Sequence, residues 1–233
     1  MRIDPEISSV TIVLRGHFNP KIFQPFWFAR HRIITDAAAE SADINLIHPT
    51  ASEFSINEHF SLHVDLTTFS ITRLEAPLVL ISDIVRRVFV ELLPHTPIGQ
   101  LGINRLVHFN VESWQERSRI GRKMAPLEPW GSWGVDIAKA EKVEEQGGLR
   151  ALTMIQYGLK DRAHGFIQTS IEPSLVIGNG RTGIYMIVND HYQLAKPDDA
   201  PDAREMIGLL GERFESSLRR SEEIIDQVMA LKS

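Results

Sequence analysis

Three short stretches place histidine beside carboxylate or amide side chains at alternating positions. His59, His63 and Asp65 share one parity of 57–65, Asn104, His108 and Asn110 share one parity of 99–111, and Asn189 and His191 lie two apart. Neutral imidazole and carboxylate suit Zn, Mn or Fe, and an imidazole near a carboxylate suits general acid–base work. A period of two belongs to a strand, whose successive side chains point to opposite faces. Three such strands showing one face of one sheet would bring these groups together. Spacing limits the metal reading. His59 and His63 on one strand lie about 13 Å apart and cannot share an ion. His63, Asp65 and His108 remain as the tight grouping, with His191 beside them, for a metal-assisted or His-dependent hydrolase. The competing reading makes these faces the solvated or partner-facing side of an antiparallel sheet.

Two other sets could bind. Arg105 interrupts the apolar row Leu101, Ile103, Val107 and Phe109, so it needs a carboxylate or carbonyl partner, for which Glu172 and Glu91 are candidates. With Asn104 it could otherwise clamp a ligand carboxylate or phosphate. Arg117, Arg119, Arg122 and Lys123 precede Trp130 and Trp133, and basic side chains near aromatics can follow phosphates and stack bases. A charge run is more often a solvated helix face, so plain structure is the first reading of this stretch; tryptophans are enriched at interface hot spots, which puts a protein or ligand contact through Trp130 and Trp133 ahead of nucleic acid. Gly178-Asn179-Gly180-Arg181-Thr182-Gly183 reads as a hairpin turn and not as a nucleotide loop, and neither a Walker A sequence nor a Gly-x-Ser-x-Gly elbow occurs. No pattern calls for a cofactor, and no metal ligand set is assigned.

The elements that must position these residues are legible by period. Alternation predicts strands at 8–16, 43–48, within 53–73, and at 99–111, with Phe54, Ile56, Phe60, Leu62, Val64 and Leu66 on one face of the third region. Asn19-Pro20 opens an apolar helical segment over 22–34, continued at 36–42. Leu78, Ile81, Val85, Val88 and Leu92 predict a helix from Pro77 to 93. A polar helix at 112–124, a Trp130–Gly134 loop and a short charged helix at 135–146 follow. Strands at 149–158, 163–172 and 182–193 form a meander, and 201–231 forms one long helix with Ala203, Ile207, Leu210, Phe214, Leu218, Ile225 and Val228 along its stripe. Strands and helices come in runs, which predicts an α+β fold, a mostly antiparallel sheet with helices packed on one face and a long C-terminal helix. The chain of 233 residues suits one domain. Its halves, 1–111 and 149–233, share a strands-then-helix rhythm that suggests an internal pseudo-repeat, joined by a Trp-containing linker, 112–148.

Leu101-Gly102-Ile103-Asn104-Arg105, the strand–helix block before it and the terminal helix around Phe214-Glu215 give a layout that resembles a sporadically distributed family of uncharacterised bacterial proteins. The strand departs from that family's aromatic-Asn pattern. The resemblance implies a bacterial or phage origin and no known activity.

There is no cysteine, which removes disulfides, thiolate nucleophiles and Cys-based zinc sites. A net charge of −5 argues against a general attraction to nucleic acid or anionic membrane. The first residues lack a signal-peptide core and no apolar run approaches about 20 residues, so a cytoplasmic protein without a membrane partner is expected. The sequence reading favours a non-enzymatic binding or assembly protein whose partner is itself or another protein, over the hydrolase and over a nucleic-acid binder acting through 117–123.

Overall fold

The alternating segments become strands of a single sheet in the computed structural model, which describes residues 4–57, 60–74, 76–139 and 147–232. The strands are β1 (Ile7–Gly16), β2 (Asp43–His48), β3 (Ala51–Ile56), β4 (Phe60–Asp65), β5 (Thr68–Arg73), β6 (Ile98–Asn110), β7 (Leu152–Gln156), β8 (Gly165–Pro173) and β9 (Gly183–Gln193). Their spatial order is β2-β3-β4-β5-β1-β6-β9-β8-β7, and every adjacent pair is antiparallel. The helices are α1 (Pro25–Arg30), α2 (Asp36–Glu40), α3 (Leu80–Arg86), α4 (Trp114–Met124), α5 (Gly131–Lys139) and α6 (Arg204–Met229). The fold is α+β, and no helix among the described residues is long and apolar enough to cross a membrane. The segment 1–111 supplies β1 to β6 and 149–233 supplies β7 to β9, and the β6–β9 ladder joins them into one sheet.

Local chemistry explains the boundaries. Asn19 accepts a hydrogen bond from the Lys21 N–H and opens a single tight turn, after which Pro25 starts α1, so the expected helix over 22–34 is shorter and broken. Thr35 caps α2 and Ser113 caps α4 through their hydroxyls. Asp65 Oδ1 accepts from the backbone N–H groups of Thr67 and Thr68 at 2.7 Å, which turns β4 into β5 and leaves Leu66 exposed instead of on the core face. The helix expected to reach residue 93 widens over Arg87–Leu92, where five-residue hydrogen bonding lets both Val88 and Phe89 turn inward. The expected Trp130–Gly134 loop is corrected. After Pro126 and Pro129 the chain turns at Gly131 with φ +58 and is helical from there. A Cβ at Gly134 would lie 2.1 Å from the Leu127 carbonyl oxygen, so only glycine permits this packing. Residues 140–146 of the expected charged helix lie outside the described residues.

The helices cover one face of the sheet. The larger apolar cluster joins Val10, Ile12, Leu14, Phe54, Phe69 and Leu101 of the sheet to Phe23, Phe28, Phe89 and the first half of α6. A smaller one joins Phe109, Ile171 and Met186 to Ile120 of α4 and to Ile225 and Met229 of α6. The stripe of α6 changes character between them, where Ser217 and Ser221 are buried in place of apolar side chains.

A charged network occupies that seam. Asp190 of β9 is completely buried. Its carboxylate accepts from Arg162 Nη1, from Ser217 Oγ at 2.7 Å and from Arg220 Nη1 at 2.9 Å. Asp161 closes the ring, accepting from Arg162 Nη2 at 2.9 Å and Arg220 Nη2 at 2.8 Å. The Arg162 guanidinium lies 3.7 Å above the Tyr192 ring, and the Tyr192 hydroxyl bonds Ser217 at 3.1 Å. Hydrogen bonds from Arg162, opposed by burial and reinforced by Arg220, hold the Asp161 carboxyl well below the usual carboxylate range. Asp190→Asn leaves Asp161 alone to balance two guanidiniums, with Arg162 in a buried site. It is expected to lower unfolding stability by about 3–5 kcal/mol, read from the urea midpoint, with a smaller loss for Ser217→Ala.

Candidate functional site

The face of the sheet opposite the helices is polar and open. Thr11, Thr72, Asn104, Asn189 and Gln168 form one row across β5, β1, β6, β9 and β8, by the cross-strand register. The next row runs His63, Ser70, Val13, Gly102, His191 and Phe166 from β4 to β8. The middle of the face is closed over by its own side chains. Thr11 and Thr72 share a hydroxyl hydrogen bond of 2.8 Å, and Asn104 Nδ2 donates to the Thr11 carbonyl at 3.3 Å.

Where the two rows meet, a cavity of about 280 Å³ is lined by Val13, Arg15, Gln100, Gly102, Asn104, Phe166, Asn189 and His191. Gly102 makes the space: a Cβ there would lie 3.1 Å from Asn189 Oδ1 and 3.4 Å from Asn104 Nδ2. The two side-chain amides sit opposite each other across the β6–β9 ladder and both border this gap. Asn189 Oδ1 is buried and has no hydrogen-bond partner among the described residues. The His191 ring stacks on Phe166 with centroids 4.5 Å apart and planes 19° apart, and Arg15 holds Thr68 at 2.8 Å at the other wall. An unmet acceptor, an amide donor and a planar aromatic wall suit a ligand that carries a hydrogen-bonding planar group.

The residues singled out from the sequence are dispersed over the molecule. His63 and Asp65 do meet, with His63 Nε2 3.8 Å from Asp65 Oδ2, and Glu53 closes on His63 Nδ1 at 3.2 Å. His191 is in the same row as His63 but four strands away, about 19 Å at the usual strand spacing. His108 lies six residues along β6 from the Gly102 row, about 20 Å. There its Nδ1 bonds Ser174 Oγ at 2.8 Å and its ring packs on Tyr185. Thus His63, His108 and His191 lie apart on the face, each with its own neighbours, and among the described residues no group of three or more His, Asp or Glu side chains is placed to hold a metal ion. His59 lies outside the described residues. Asn104 is in the cavity wall, but Arg105 is on the opposite, helix-covered face. The expected partners of Arg105 are corrected: its guanidinium meets Ser8 Oγ at 2.8 Å, the Ser9 carbonyl at 3.1 Å and Glu222 of α6 at 3.9 Å. Glu91 instead pairs with Arg87 on its own helix.

The basic run of α4 is directed at carbonyls. Arg117 donates to the Gly180 carbonyl at 2.6 Å, Arg119 to that of Lys232, and Lys123 to that of Leu231 at 3.0 Å. The last two carbonyls follow α6, at the negative end of its dipole, where cations are favoured. Arg122 lines a smaller cavity, about 120 Å³, with Arg117, Arg150 and Glu172. Trp130 and Trp133 stand edge to face with centroids 5.3 Å apart and remain more than half exposed. Asn189, Phe166 and Gly102 were not singled out from the sequence as binding residues. Only the parity of Asn189 with His191 hinted at the first.

Burial pushes the His108 and His191 imidazoles below their ordinary value of 6.5. The folded state therefore holds these rings neutral while the unfolded chain takes up protons first. Stability is full above that value and falls as pH drops through it toward the lowered folded values. Urea midpoints are expected to be lower at about pH 5.5 than at about pH 7.5, and His191→Gln should remove part of the difference. No protein-family model matches the sequence, and no curated protein is significantly similar to it.

Proposed function

We propose that the protein is a non-enzymatic binding protein that holds a small planar amide-bearing ligand on its open sheet face and assembles into homo-oligomers. The observation that carries the binding reading is Asn189 Oδ1, a buried acceptor left without a partner beside the Gly102 gap. Burying an unmet acceptor costs about 1–3 kcal/mol, which a ligand N–H recovers. The Asn104 amide faces the same space and complements a ligand carbonyl, so a group presenting an N–H beside a C=O fits both. The stacked Phe166 and His191 rings supply an apolar wall of the size such a group needs. The separation of His63, His108 and His191 favours binding over a hydrolase that works through these residues together, because proton transfer among them requires hydrogen-bond reach. The engagement of Arg117, Arg119 and Lys123 with carbonyls likewise favours a small ligand over nucleic acid.

Ligand-observed NMR with nicotinamide, uracil and N-acetylglycinamide tests this. At least one is expected to bind, with affinity about three- to tenfold weaker in Asn189→Leu, the worth of one hydrogen bond. If none binds, or if Gly102→Val and Asn189→Leu leave binding unchanged, the reading fails.

A further inference from the structure

One edge of the sheet carries a contact surface of its own. β2 ends the strand order, all six of its residues are exposed, and its outer backbone groups face no neighbouring strand among the described residues. Ile44, Leu46 and Ile47 are 51%, 44% and 41% exposed, a high apolar content for an uncovered edge. Lysine and proline, two of the devices that blunt an edge, are missing from Asp-Ile-Asn-Leu-Ile-His, and a third, a bulge, here leaves the isoleucines on one face.

The strand is also irregular in a way that matters for pairing. Ile44 faces Phe54 and Leu46 faces Glu53, so Asn45 is an extra residue, and its amide bonds Glu53 Oε1 at 3.0 Å. The bulge shifts the alternation. Ile44 and Ile47 both fall on the helix side, with Phe54 and Ser52, whereas Asp43, Leu46 and His48 fall on the open side, with Ser55, Glu53 and Ala51. In a regular strand, residues three apart lie on opposite faces. Here they share one, and the segment becomes its own complement.

The geometry points to a symmetric dimer in which β2 pairs antiparallel with β2 of a second copy, Ile44 opposite the partner's Ile47 and Asp43 opposite the partner's His48. This register pairs all six residues and keeps each pair on one face of the joined sheet. A shift of one residue sets an isoleucine against an open-side residue. The contact brings two isoleucine pairs together on the helix side. On the open side the His48 ring, whose Nδ1 is bonded to Thr50 at 2.8 Å, offers Nε2 to the Asp43 carboxylate of the other copy. A two-fold axis through the bulge closes the assembly at two chains, whereas β2 on β7 would run on without closure. The inference rests on the assembly part of the reading above and is independent of the ligand.

Light scattering over a concentration series is expected to give twice the 26.4 kDa chain mass. Ile44→Lys with Ile47→Lys should return it to one chain, and Ile44→Glu with Ile47→Lys should keep the dimer, because the new charges meet across the axis. The chain has no cysteine, so introduced ones are unique. Ile44→Cys with Ile47→Cys is expected to crosslink two chains on oxidation, and Ile44→Cys alone is not, since its two copies lie about 7–10 Å apart along the strands. A wild-type monomer at about 1 mM, well above the micromolar range of ordinary association, overturns this proposal and the assembly reading together. A dimer that survives the paired lysines or fails to crosslink, or one lost instead in Met154→Lys on β7, overturns the β2 register and leaves assembly standing.

Discussion

The buried carboxylate of Asp190 is held at once by a sheet neighbour, a connection and a helix. Arg162 reaches it from the β7–β8 connection, Ser217 and Arg220 reach it from α6, and Tyr192 lies beside it on the same strand. A charge so deeply placed is tolerable only with opposite charge and hydrogen bonds around it. Each partner is therefore constrained in position and direction. α6 cannot slide along the sheet without parting Ser217 and Arg220 from Asp190, and the 157–164 segment cannot lift without exposing Arg162. Apolar contacts on either side of the seam would tolerate such shifts more readily, because burial is not directional.

The seam also explains why the helical layer is one-sided. Asp190 and Arg105 both project from the face that carries the apolar rows, and both find partners on α6. The long helix thus lies over β6 and β9, the smaller helices complete the cover, and no described helix covers the polar rows. On that open side the backbone ladders are satisfied within the sheet, and the side chains bond mostly to one another. Asn189 Oδ1 stands apart from this economy, and it does so beside the one glycine in the middle of β6. The same strands thus serve two ends: one face specifies packing, and the other keeps a gap.

Much of this was readable in advance. The parity of 54, 56, 60, 62 and 64 identified the core face of β3 and β4, and Gly178-Asn179-Gly180 marked the β8–β9 turn. The spacing of α6 located Ala203, Ile207, Leu210, Phe214 and Ile225 on its buried stripe, placed Leu218 and Val228 there although they are half-buried, and missed Met206 and Met229 together with Ser217 and Ser221, which look like surface residues until Asp190 is known to face Ser217. Other features were not readable. Arg105 was recognisable as a residue in need of a partner, but Glu222 lies more than a hundred positions away, and Glu172 and Glu91 were equally admissible by composition. The Trp130–Gly134 segment has the residues of a loop, yet it is helical from Gly131, with Gly134 packed close against the Leu127 carbonyl.

By itself the sequence determined where the alternating strands and the long C-terminal helix lie and which side of the core strands is apolar, because both follow from local period and the hydrophobic effect. Only the tertiary structure decided the strand order, and with it the register that sets His63, His108 and His191 apart while placing Gly102 between Asn104 and Asn189. Register depends on pairings between distant segments, and a face that reads as polar in each strand carries no information about which neighbour it will receive. The bulge at Asn45 belongs to the same class: six residues with ordinary strand chemistry take on an unusual symmetry only because β3 pairs with five of them.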